Sequence, residues 1–343
     1  MLNFNVAQFI FPAAFSFLIS LSIGYIFCKI SLSKELYDFP NTRKIHQNPT
    51  PRMGGFVIIV SLVITSLLFG LCLSEDYNYY LILCMAFFLI GLMDDIFDWN
   101  YKKKLIAQFM GVVIFFIVFP FDTSKLVFTT IEIQIPWLNY LLLILWILAI
   151  INSFNFFDGI NCLAGSLAIV FFASYGILYY NNQSVVQLEI YLILIFSILG
   201  FLIYNRTPAK MFLGDSGSIF IGFLVATLPL HFASTEGVGI DVSYPVIITS
   251  ILIMETVYLI LSRIKNKKSP FYPDKLHLHH QLLNLNLKNR YVVLIISFST
   301  ILLSILAYFS RQLVFYQVVM ILLLFFGIII VLPRFLKPRK LHY

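Results

Sequence analysis

The sequence predicts an all-α integral membrane protein with about eleven transmembrane helices, an N-terminus outside and a C-terminus in the cytoplasm. The first reason is composition, because 60% of the 343 residues are hydrophobic and only 11% are charged. A soluble domain carries roughly 25% charged residues. The second reason is that apolar runs of membrane-spanning length recur throughout, giving a mean hydropathy of +0.92. The third reason is that basic residues are concentrated in alternate connections.

Each candidate span is an apolar run of about 20 residues, the length that crosses the hydrocarbon core of a bilayer. The candidates are residues 6–30, 56–73, 79–97, 105–121, 137–153, 163–180, 187–204, 216–232, 243–264, 291–309 and 313–332. The first run is too long for a signal-peptide core, so we interpret it as a retained span. No repeat or linker divides the chain, so residues 1–343 are predicted to form one multi-pass domain.

The basic residues indicate the orientation. All but two of the 23 Lys and Arg lie in or beside one alternating set of connections, and the exceptions are Lys125 and Arg311. Positively charged loops stay in the cytoplasm, so this set is predicted to be cytoplasmic. The set comprises 31–55, 98–104, 154–162, 205–215, 265–290 and the tail 333–343. This placement accounts for the net charge of +7 without a nucleic-acid partner. On the opposite side, residues 122–135 alternate polar and apolar, which predicts a small external β-hairpin.

The most unusual stretch is Gly91–Asp98, where an apolar run ends in three carboxylates, those of Asp94, Asp95 and Asp98. A charge at the centre of a membrane helix costs about 3 kcal/mol, so acids at the end of a span are functional candidates. In a continuous helix, Asp94 and Asp98 would share one face. That arrangement suits a divalent cation, or a cation together with a general base.

Two further acidic motifs lie at predicted cytoplasmic ends. Asn152, Asn155 and Asp158 recur every three residues and form a polar stripe, which indicates either an interhelical hydrogen-bond ladder or a substrate or metal site. Asp215 stands between two glycines just before a span. It is either the N-cap of that helix or part of a ligand site formed by glycine backbone and free N–H groups.

Basic and histidine-rich motifs accompany the acids. Arg43, Lys44, Arg52 and His46 favour an anion site in the first loop, with a topology anchor as the alternative. Lys102–Lys104 are interpreted as a topology anchor attracted to lipid headgroups. The other candidates are Lys210, Lys275, His277, His279 and His280, the last four of which could bind phosphate, a nucleobase or a metal. Residues 279–288 predict a short interfacial helix. Glu255 is expected to pair with Arg263 or with a polar group on another helix.

Together these groups indicate phosphoryl transfer at one membrane face. Clustered carboxylates suit Mg²⁺ or Mn²⁺, because both cations prefer oxygen ligands. The surrounding cations suit a diphosphate, and the position at lipid level suits an acceptor that resides in the bilayer. An ion-coupled transporter is an alternative, although transporters bind their substrates near the midplane in repeated helices. An intramembrane Mg²⁺-dependent prenyltransferase is a second alternative.

Five motifs, in order, resemble one known family. They are DFPNTRKIH…PRMGG, GLMDDIFD, NSFNFFDGIN, FLGDSGS and SPFYPDKLHLHH, and they lie within residues 31–55, 94–104, 152–162, 205–218 and 265–290 and the spans beside them. The chain resembles the polyprenyl-phosphate N-acetylhexosamine-1-phosphate transferases, the MraY/WecA/TagO superfamily or glycosyltransferase family 4. The last motif is more similar to the WecA/TagO and O-antigen branch.

The resemblance implies transfer of a sugar 1-phosphate from a UDP-N-acetylhexosamine to undecaprenyl phosphate, at the cytoplasmic face of a bacterial inner membrane. It implies that Asp215 is the main Mg²⁺ ligand, that Asp94 and Asp95 act on the lipid phosphate or assist the metal, and that Asn155 and Asp158 line the donor site. It further implies that His277, His279 and His280 hold donor phosphate or sugar. Lys44 and His46 would assist substrate binding, and relatives suggest a homodimer. Asn161-Cys162 and Lys275 depart from the residues that many relatives carry.

The reaction can proceed in two ways, either by direct attack of the lipid phosphate on the donor or through an acyl-phosphate on an Asp. A phosphate monoester has a second pKa near 6, so most of the acceptor is already a dianion at neutral pH. We therefore favour direct attack, with Asp94 positioning or deprotonating the acceptor. The transferred sugar stays open between GlcNAc, GalNAc and a 6-deoxy-N-acetyl sugar, with UDP-GlcNAc expected first.

Overall fold

A computed structural model describes residues 6–30, 36–38, 49–181, 185–233, 240–269 and 276–336. The protein is mostly helical, at 79%. The helices are α1 (Val6–Lys29), α2 (Gly54–Leu68), α3 (Glu75–Phe97), α4 (Tyr101–Val118), α5 (Pro136–Phe157), α6 (Leu163–Asn181), α7 (Val185–Asn205), α8 (Gly214–Ala233), α9 (Ser243–Ile248), α10 (Ser250–Lys265), α11 (Leu278–Asn284), α12 (Asn289–Phe309), α13 (Phe315–Phe325) and α14 (Leu332–Phe335). A π-helical segment, Phe326–Val331, joins the last two.

Helices overlap every apolar run that the sequence singled out. Within the described residues, six helices are long and apolar enough to cross a membrane, which confirms a multi-pass membrane protein. The count of eleven spans and the orientation of the termini stay predictions. These six are Ala7–Lys29, Glu75–Phe97, Pro136–Phe157, Leu188–Asn205, Asn289–Phe309 and Phe315–Phe335. The predicted span 243–264 is divided at Thr249, where the helical path breaks between α9 and α10.

Helix α8 lies at the centre of the bundle. It packs against α2, α3, α5 and α6, and residues 216–230 are all buried. A helix that is apolar on every face is stable only when neighbours surround it, and α8 has that composition. Small residues let those neighbours approach closely, as at Gly217 against Gly55 of α2 and Gly222 against Ile151 of α5.

A second layer is formed by α1, α6 and α7. Buried hydroxyl groups of α1 donate to backbone carbonyls of α7, with Ser16 Oγ 3.0 Å from the Ile193 oxygen and Ser20 Oγ 2.6 Å from the Ser197 oxygen. In return, the Tyr204 hydroxyl donates to the Leu21 carbonyl at 2.7 Å. Such bonds hold helices together where the hydrophobic effect gives little preference for one neighbour over lipid.

Two small sheets lie at opposite ends of the bundle. At one end, β1 (Tyr37–Asp38) pairs antiparallel with β2 (Thr50–Pro51). At the other end, β3 (Leu126–Phe128) and β4 (Ile131–Ile133) form the hairpin that the sequence predicted within residues 122–135. An additional strand that the sequence analysis did not predict, β5 (Ile240–Asp241), pairs in parallel with β3. The hairpin is thus confirmed, and its external location stays a prediction.

Close backbone contact between α3 and α8 fixes the geometry at the β1–β2 end. A Cβ placed on Gly91 of α3 would lie 2.3 Å from the carbonyl oxygen of Asp215 and 2.5 Å from the Cα of Ser216. Real Cβ atoms do not approach backbone so closely, so glycine at position 91 lets the first turn of α8 pack against α3.

We predict that Gly91→Ala lowers the thermal unfolding midpoint of the detergent-solubilised protein, by the equivalent of about 1–3 kcal/mol for overpacking. The matched control is Gly176→Ala in α6, where an added Cβ would meet only Leu188 at 3.4 Å and Tyr191 at 3.7 Å. Equal midpoints for the two variants would show that α3 and α8 do not require this close approach.

Candidate active site

A cavity of about 810 Å³ opens at the β1–β2 end of the bundle. Its walls come from the loops and helix ends that carry the polar motifs. The lining residues used below are Asp38, Arg52, Asp95, Asp98, Asn155, Asp158, Asn161, Asp215, His280 and Asn289. The described parts of all five sequence motifs therefore meet at one end of the bundle, as the sequence predicted.

Asp95, at the end of α3, holds the start of α8. Its two carboxylate oxygens accept the backbone N–H groups of Asp215, at 3.0 Å, and Ser216, at 2.9 Å. A carboxylate at a helix N-terminus is favourable because it satisfies free N–H groups and faces the positive end of the helix dipole. Gly214 makes the turn possible, since its φ of +77° is costly for other residues and a Cβ there would lie 2.8 Å from Asp95 Oδ2.

This contact excludes one of the two interpretations of Asp215 that the sequence left open. Asp215 lies in the first turn of α8, and Asp95 from another helix supplies the cap, so the N-cap alternative for Asp215 is wrong. With its backbone held by Asp95, the Asp215 side chain is free to point at other ligands. The catalytic role predicted for Asp95 stays a prediction, and the contact made by Asp95 in the structure is one of positioning.

Asp94 and Asp215 converge on Lys104, which lies in the first turn of α4. The Lys104 Nζ is 2.6 Å from Asp94 Oδ2 and 3.2 Å from Asp215 Oδ2. The two carboxyl groups are also within hydrogen-bonding reach of each other. Asn155 donates its amide to Asp215 Oδ1 and, at 2.7 Å, to Ser218 Oγ. Four helices, α3, α4, α5 and α8, thus bring two acids, one amide and one ammonium together.

The charges at this end of the bundle do not balance among the described residues. Asp94 and Asp215 share the ammonium of Lys104, whereas Asp95 lies near the guanidinium of Arg52, which also pairs with Asp38. Asp158 is a fourth acid of this cavity, and Arg52 is the cation that acts on it. Two touching carboxylates repel each other unless a cation lies beside them. Mg²⁺ is commonly held by one or two carboxylates and completed by water and substrate phosphate, so this pair fits such a cation. No group of three His, Cys, Asp or Glu forms a metal site within the described ranges.

The polar stripe of α5 divides into two parts. Asn152 donates to Gln108 Oε1 of α4 at 2.8 Å, which is the interhelical ladder that was one of its two interpretations. Asn155 and Asp158 line the cavity instead. Burial, together with the charges of Asp215 and Asp95, raises the pKa of the Asp158 carboxyl well above its usual range, against an opposing effect of Arg52.

Arg52 connects the first loop to the cavity. Its guanidinium forms an ion pair with Asp38 and has an Nη1 atom 3.8 Å from Asp95 Oδ1. The backbone beside it is fixed by the segment before α8, because the Phe212 N–H donates to the Pro51 carbonyl at 2.9 Å. Arg43, Lys44 and His46 from the same loop lie outside the described residues, as does Lys275.

The histidines lie on and beside α11. The rings of His277 and His279 stack with centroids 5.6 Å apart, and those of His279 and His280 are 4.3 Å apart. His280 lines the cavity, while His279 is buried against Gly159, where a Cβ would lie 2.3 Å from its Nε2 atom. The short helix predicted for residues 279–288 is confirmed as α11, which begins at Leu278 and ends earlier than predicted, at Asn284.

One expectation about the acids is corrected. Asp94 and Asp98 do not share a helical face, because α3 ends at Phe97 and Asp98 adopts a left-handed conformation with φ of 51°. The chain turns there, so Asp98 is exposed at the cavity edge. Lys210 is exposed and is not among the described lining residues of the cavity, and its role in substrate binding stays a prediction.

Lys104 and Arg334 have roles that the sequence did not predict. The run Lys102–Lys104 predicts a topology anchor, and Lys102 and Lys103 are indeed exposed. The Lys104 side chain, in contrast, is only 14% exposed and is bonded to two acids. A signal was available, because Lys104 and Gln108 are four residues apart and share one polar face of α4. Arg334 was counted in the basic tail, but it pairs with Glu255, which was expected to pair with Arg263 or with a group on another helix.

The fold and the site define a multi-pass membrane protein with a carboxylate-rich cavity at one end of its helix bundle. Comparisons with known proteins identify its family. The profile of glycosyl transferase family 4 matches residues 77–233. A Bacillus subtilis protein described as a probable undecaprenyl-phosphate N-acetylglucosaminyl 1-phosphate transferase is 31% identical over 309 residues, covering 90% of this chain and 86% of the relative.

Two other relatives represent both branches of the superfamily. An undecaprenyl-phosphate alpha-N-acetylglucosaminyl 1-phosphate transferase from Thermotoga maritima is 30% identical over 82% of this chain and 84% of its own length. A phospho-N-acetylmuramoyl-pentapeptide-transferase from Staphylococcus epidermidis is 30% identical over 68% of this chain and 77% of its own length. This chain belongs to the polyprenyl-phosphate N-acetylhexosamine-1-phosphate transferase superfamily.

Replacing Lys104 by Met should lower the unfolding free energy by about 3 kcal/mol, because it leaves two buried carboxylates facing each other. The exposed neighbour variant Lys103→Met serves as the control and should match the wild type. Added Mg²⁺ should raise the unfolding midpoint of Lys104→Met more than that of the wild type, because a cation can take over the neutralisation. A Lys104→Met midpoint equal to the control would refute the bridging role.

His279 should make stability depend on pH. Burial, with added effects of His280 and His277, lowers the pKa of His279 well below its ordinary value. The unfolded chain therefore binds more protons below about pH 6.5, and the stability linked to neutral His279 is lost as the pH falls. Between pH 7.5 and 5.5 the wild type should lose about 1.4 kcal/mol more than His279→Gln. Parallel pH curves for the two proteins would contradict this.

Proposed function

We propose that this protein transfers N-acetylglucosamine 1-phosphate from UDP-N-acetylglucosamine to undecaprenyl phosphate, releasing UMP and forming the lipid-linked sugar that begins an envelope polysaccharide such as an O-antigen. The relatives from Bacillus subtilis and Thermotoga maritima, described as undecaprenyl-phosphate N-acetylglucosaminyl 1-phosphate transferases, support this sugar and this acceptor. The observation that carries the proposal in this chain is the pairing of Asp94 and Asp215 at one ammonium, where Asp215 and Asn155 line the cavity. Longer coverage by N-acetylglucosaminyl transferases than by the pentapeptide branch favours this sugar.

We place the cavity on the cytoplasmic face of a bacterial inner membrane. The motifs of the cavity belong to the alternating set of connections that, in the sequence, holds nearly all of the Lys and Arg, and basic connections stay in the cytoplasm. Nucleotide sugars are soluble, whereas undecaprenyl phosphate has a polar head at the membrane surface. A cavity at a helix end therefore gives both substrates access to the same point.

We assign a Mg²⁺ or Mn²⁺ site to Asp215 and Asp94. Their carboxyl groups approach each other, and the acids of the cavity exceed the described cations around it. The bound cation would neutralise charge on the donor diphosphate and on the phosphoryl group that is transferred. The Lys104 ammonium contacts one oxygen of each acid and orients both toward the same point, and Asn155 donates to the other oxygen of Asp215.

The cavity walls supply the remaining contacts to the donor. Asn155 and Asp158 line one wall, Arg52 lies opposite and His280 contributes from α11. An imidazole and a guanidinium are suitable donors to phosphate oxygens, and the guanidinium geometry also allows two parallel bonds. His277 and His279 set the position of His280 through ring contacts. We propose that the anion site is completed by Arg43, Lys44, His46 and Lys275.

We favour direct attack over an acyl-phosphate route. An oxygen of the lipid phosphate would form a bond to the β-phosphorus of the donor, and the bond from that phosphorus to the bridging oxygen would break, so that UMP leaves with the bonding electrons. Asp94 is 6% exposed and its carboxylate contacts Lys104, which supports an orienting role rather than a nucleophilic one. The acceptor needs little help from a base, because it is mostly a dianion near neutral pH.

Radiolabelled sugar transfer from UDP-N-acetylglucosamine to undecaprenyl phosphate, measured in detergent with and without Mg²⁺, tests this function. We expect lipid product and UMP from the wild type, and a loss of about 100-fold or more in Asp215→Asn. The control is Glu75→Gln, an exposed acid at the opposite end of α3.

The outcomes separate the reaction class from the sugar. If only a different UDP-N-acetylhexosamine gave product, the proposed reaction would stand and the assignment of N-acetylglucosamine would be wrong. Absence of UMP release with every UDP-N-acetylhexosamine would overturn the transferase proposal. Full activity of Asp215→Asn would contradict the assignment of Asp215 as a metal ligand.

A further inference from the structure

Arg334 and Glu255 form a buried ion pair next to the histidines. Arg334 Nη2 lies 2.9 Å from Glu255 Oε1 and 2.8 Å from Oε2. The side chains are only 6% and 1% exposed. The guanidinium also lies 4.1 Å above the ring centre of Tyr258, one helical turn from Glu255 on α10. A topology anchor would extend its charge into water, so this burial indicates a different role for Arg334.

The ion pair holds the backbone on both sides of His277. Arg334 Nη2 donates to the Leu276 carbonyl at 3.0 Å, and the Leu278 N–H donates to Glu255 Oε1 at 2.7 Å. The residue between these two contacts is the first histidine of the motif, and α11 starts directly after it. The path of the chain into the histidine cluster is therefore set by two charged groups that lie on other helices.

The last membrane span contributes little to the core apart from this contact. The span Phe315–Phe335 has only 17% of its most apolar window buried, the lowest share among the six spans of the described chain. Its cytoplasmic end nevertheless buries Arg334, and α14 packs against α11. The π-helical segment Phe326–Val331 comes just before, and a π-helical turn changes the direction in which the following side chains point.

Stability alone does not explain a buried ion pair. Well-packed apolar side chains of similar volume would be equally stabilising, whereas a charged pair fixes the geometry of the groups that it bonds. Here the bonded groups are the backbone atoms that flank His277. From α11 the cluster reaches the cavity through His280 and packs on Gly159, next to Asp158.

We propose that Arg334 is a positioning residue of the active site: its pairing with Glu255 fixes the backbone around His277 and so sets the histidine cluster against the donor end of the cavity. The inference rests on the proposed function, because it assigns Arg334 to binding of the UDP-sugar rather than of the lipid acceptor. The span Phe315–Phe335 then stabilises the position of α11, the helix that carries His279 and His280. A lysine would keep the charge at position 334, but its single nitrogen would not reproduce the other guanidinium contacts, to the Ile330 carbonyl and the Tyr258 ring.

The test compares Arg334→Leu and Arg334→Lys with Arg290→Leu in the full-length protein. Arg290 is a matched control, because it also lies over a tyrosine ring, at 4.7 Å, but is exposed. We expect Arg334→Leu to raise the KM for UDP-N-acetylglucosamine at least tenfold and to lower kcat, up to about a hundredfold in kcat/KM for a displaced binding group. The KM for undecaprenyl phosphate should stay within about twofold.

Hydrogen exchange of residues 276–284 provides a readout that does not depend on activity. Exchange should increase in Arg334→Leu and stay unchanged in Arg290→Leu. Unchanged exchange, or an equal rise in both KM values, would overturn the positioning role. Full activity of Arg334→Lys would also overturn it, because a charge without the guanidinium geometry would then suffice. If Arg334→Leu does not fold, Arg334→Lys carries the same comparison. A wild type that is inactive on every UDP-sugar would instead overturn the proposed function.

Discussion

The arrangement of the site depends on the bond between the Asp95 carboxylate and the first N–H groups of α8. A single side chain from α3 accepts the amides of Asp215 and Ser216, and this fixes where the central helix of the bundle begins. The contact is strong because it joins a charge to amides that have no partner within their own helix. Asp215 then emerges from the first turn toward Lys104 and Asn155. Without this cap, neither the pair of Asp94 and Asp215 nor the wall beside it would have a defined position.

The same end of the bundle concentrates acids that a membrane protein would otherwise avoid. Asp94 and Asp215 meet, and Asp158 lines the cavity nearby with a raised pKa. Keeping them together requires compensation, which Lys104 and Arg52 provide only in part. The remaining negative charge favours a divalent cation and the phosphates that it brings. Electrostatics therefore links the burial of these acids to the proposed chemistry, because the groups that are costly in the free protein are those assigned to the proposed cation.

Support for the histidine cluster comes from the far end of the sequence. Glu255 and Arg334 are 79 residues apart, and they bond the backbone on either side of His277. A weakly packed last span thus has a defined use, since it delivers one guanidinium to a buried carboxylate. The first loop is tied in by similar means, with Arg52 joining Asp38 and approaching Asp95. The cavity is a set of loops held by charged contacts around a rigid central helix.

The sequence by itself determined the class of fold and most of the site. Apolar runs predicted the helices because crossing a bilayer demands a long apolar segment, and the motifs at their ends named Asp94, Asp158, Asp215 and His280. The three-residue spacing of Asn152, Asn155 and Asp158 predicted either an interhelical ladder or a ligand site. The bond from Asn152 to Gln108 could be identified only from the packing of α4 on α5. Only the tertiary structure distinguished Lys104 from Lys103, and Arg334 from a topology anchor. The physical reason is that a lysine or arginine near a span end has the same local pattern whether it contacts water or a buried carboxylate. Its role is decided by the acids that distant helices place beside it.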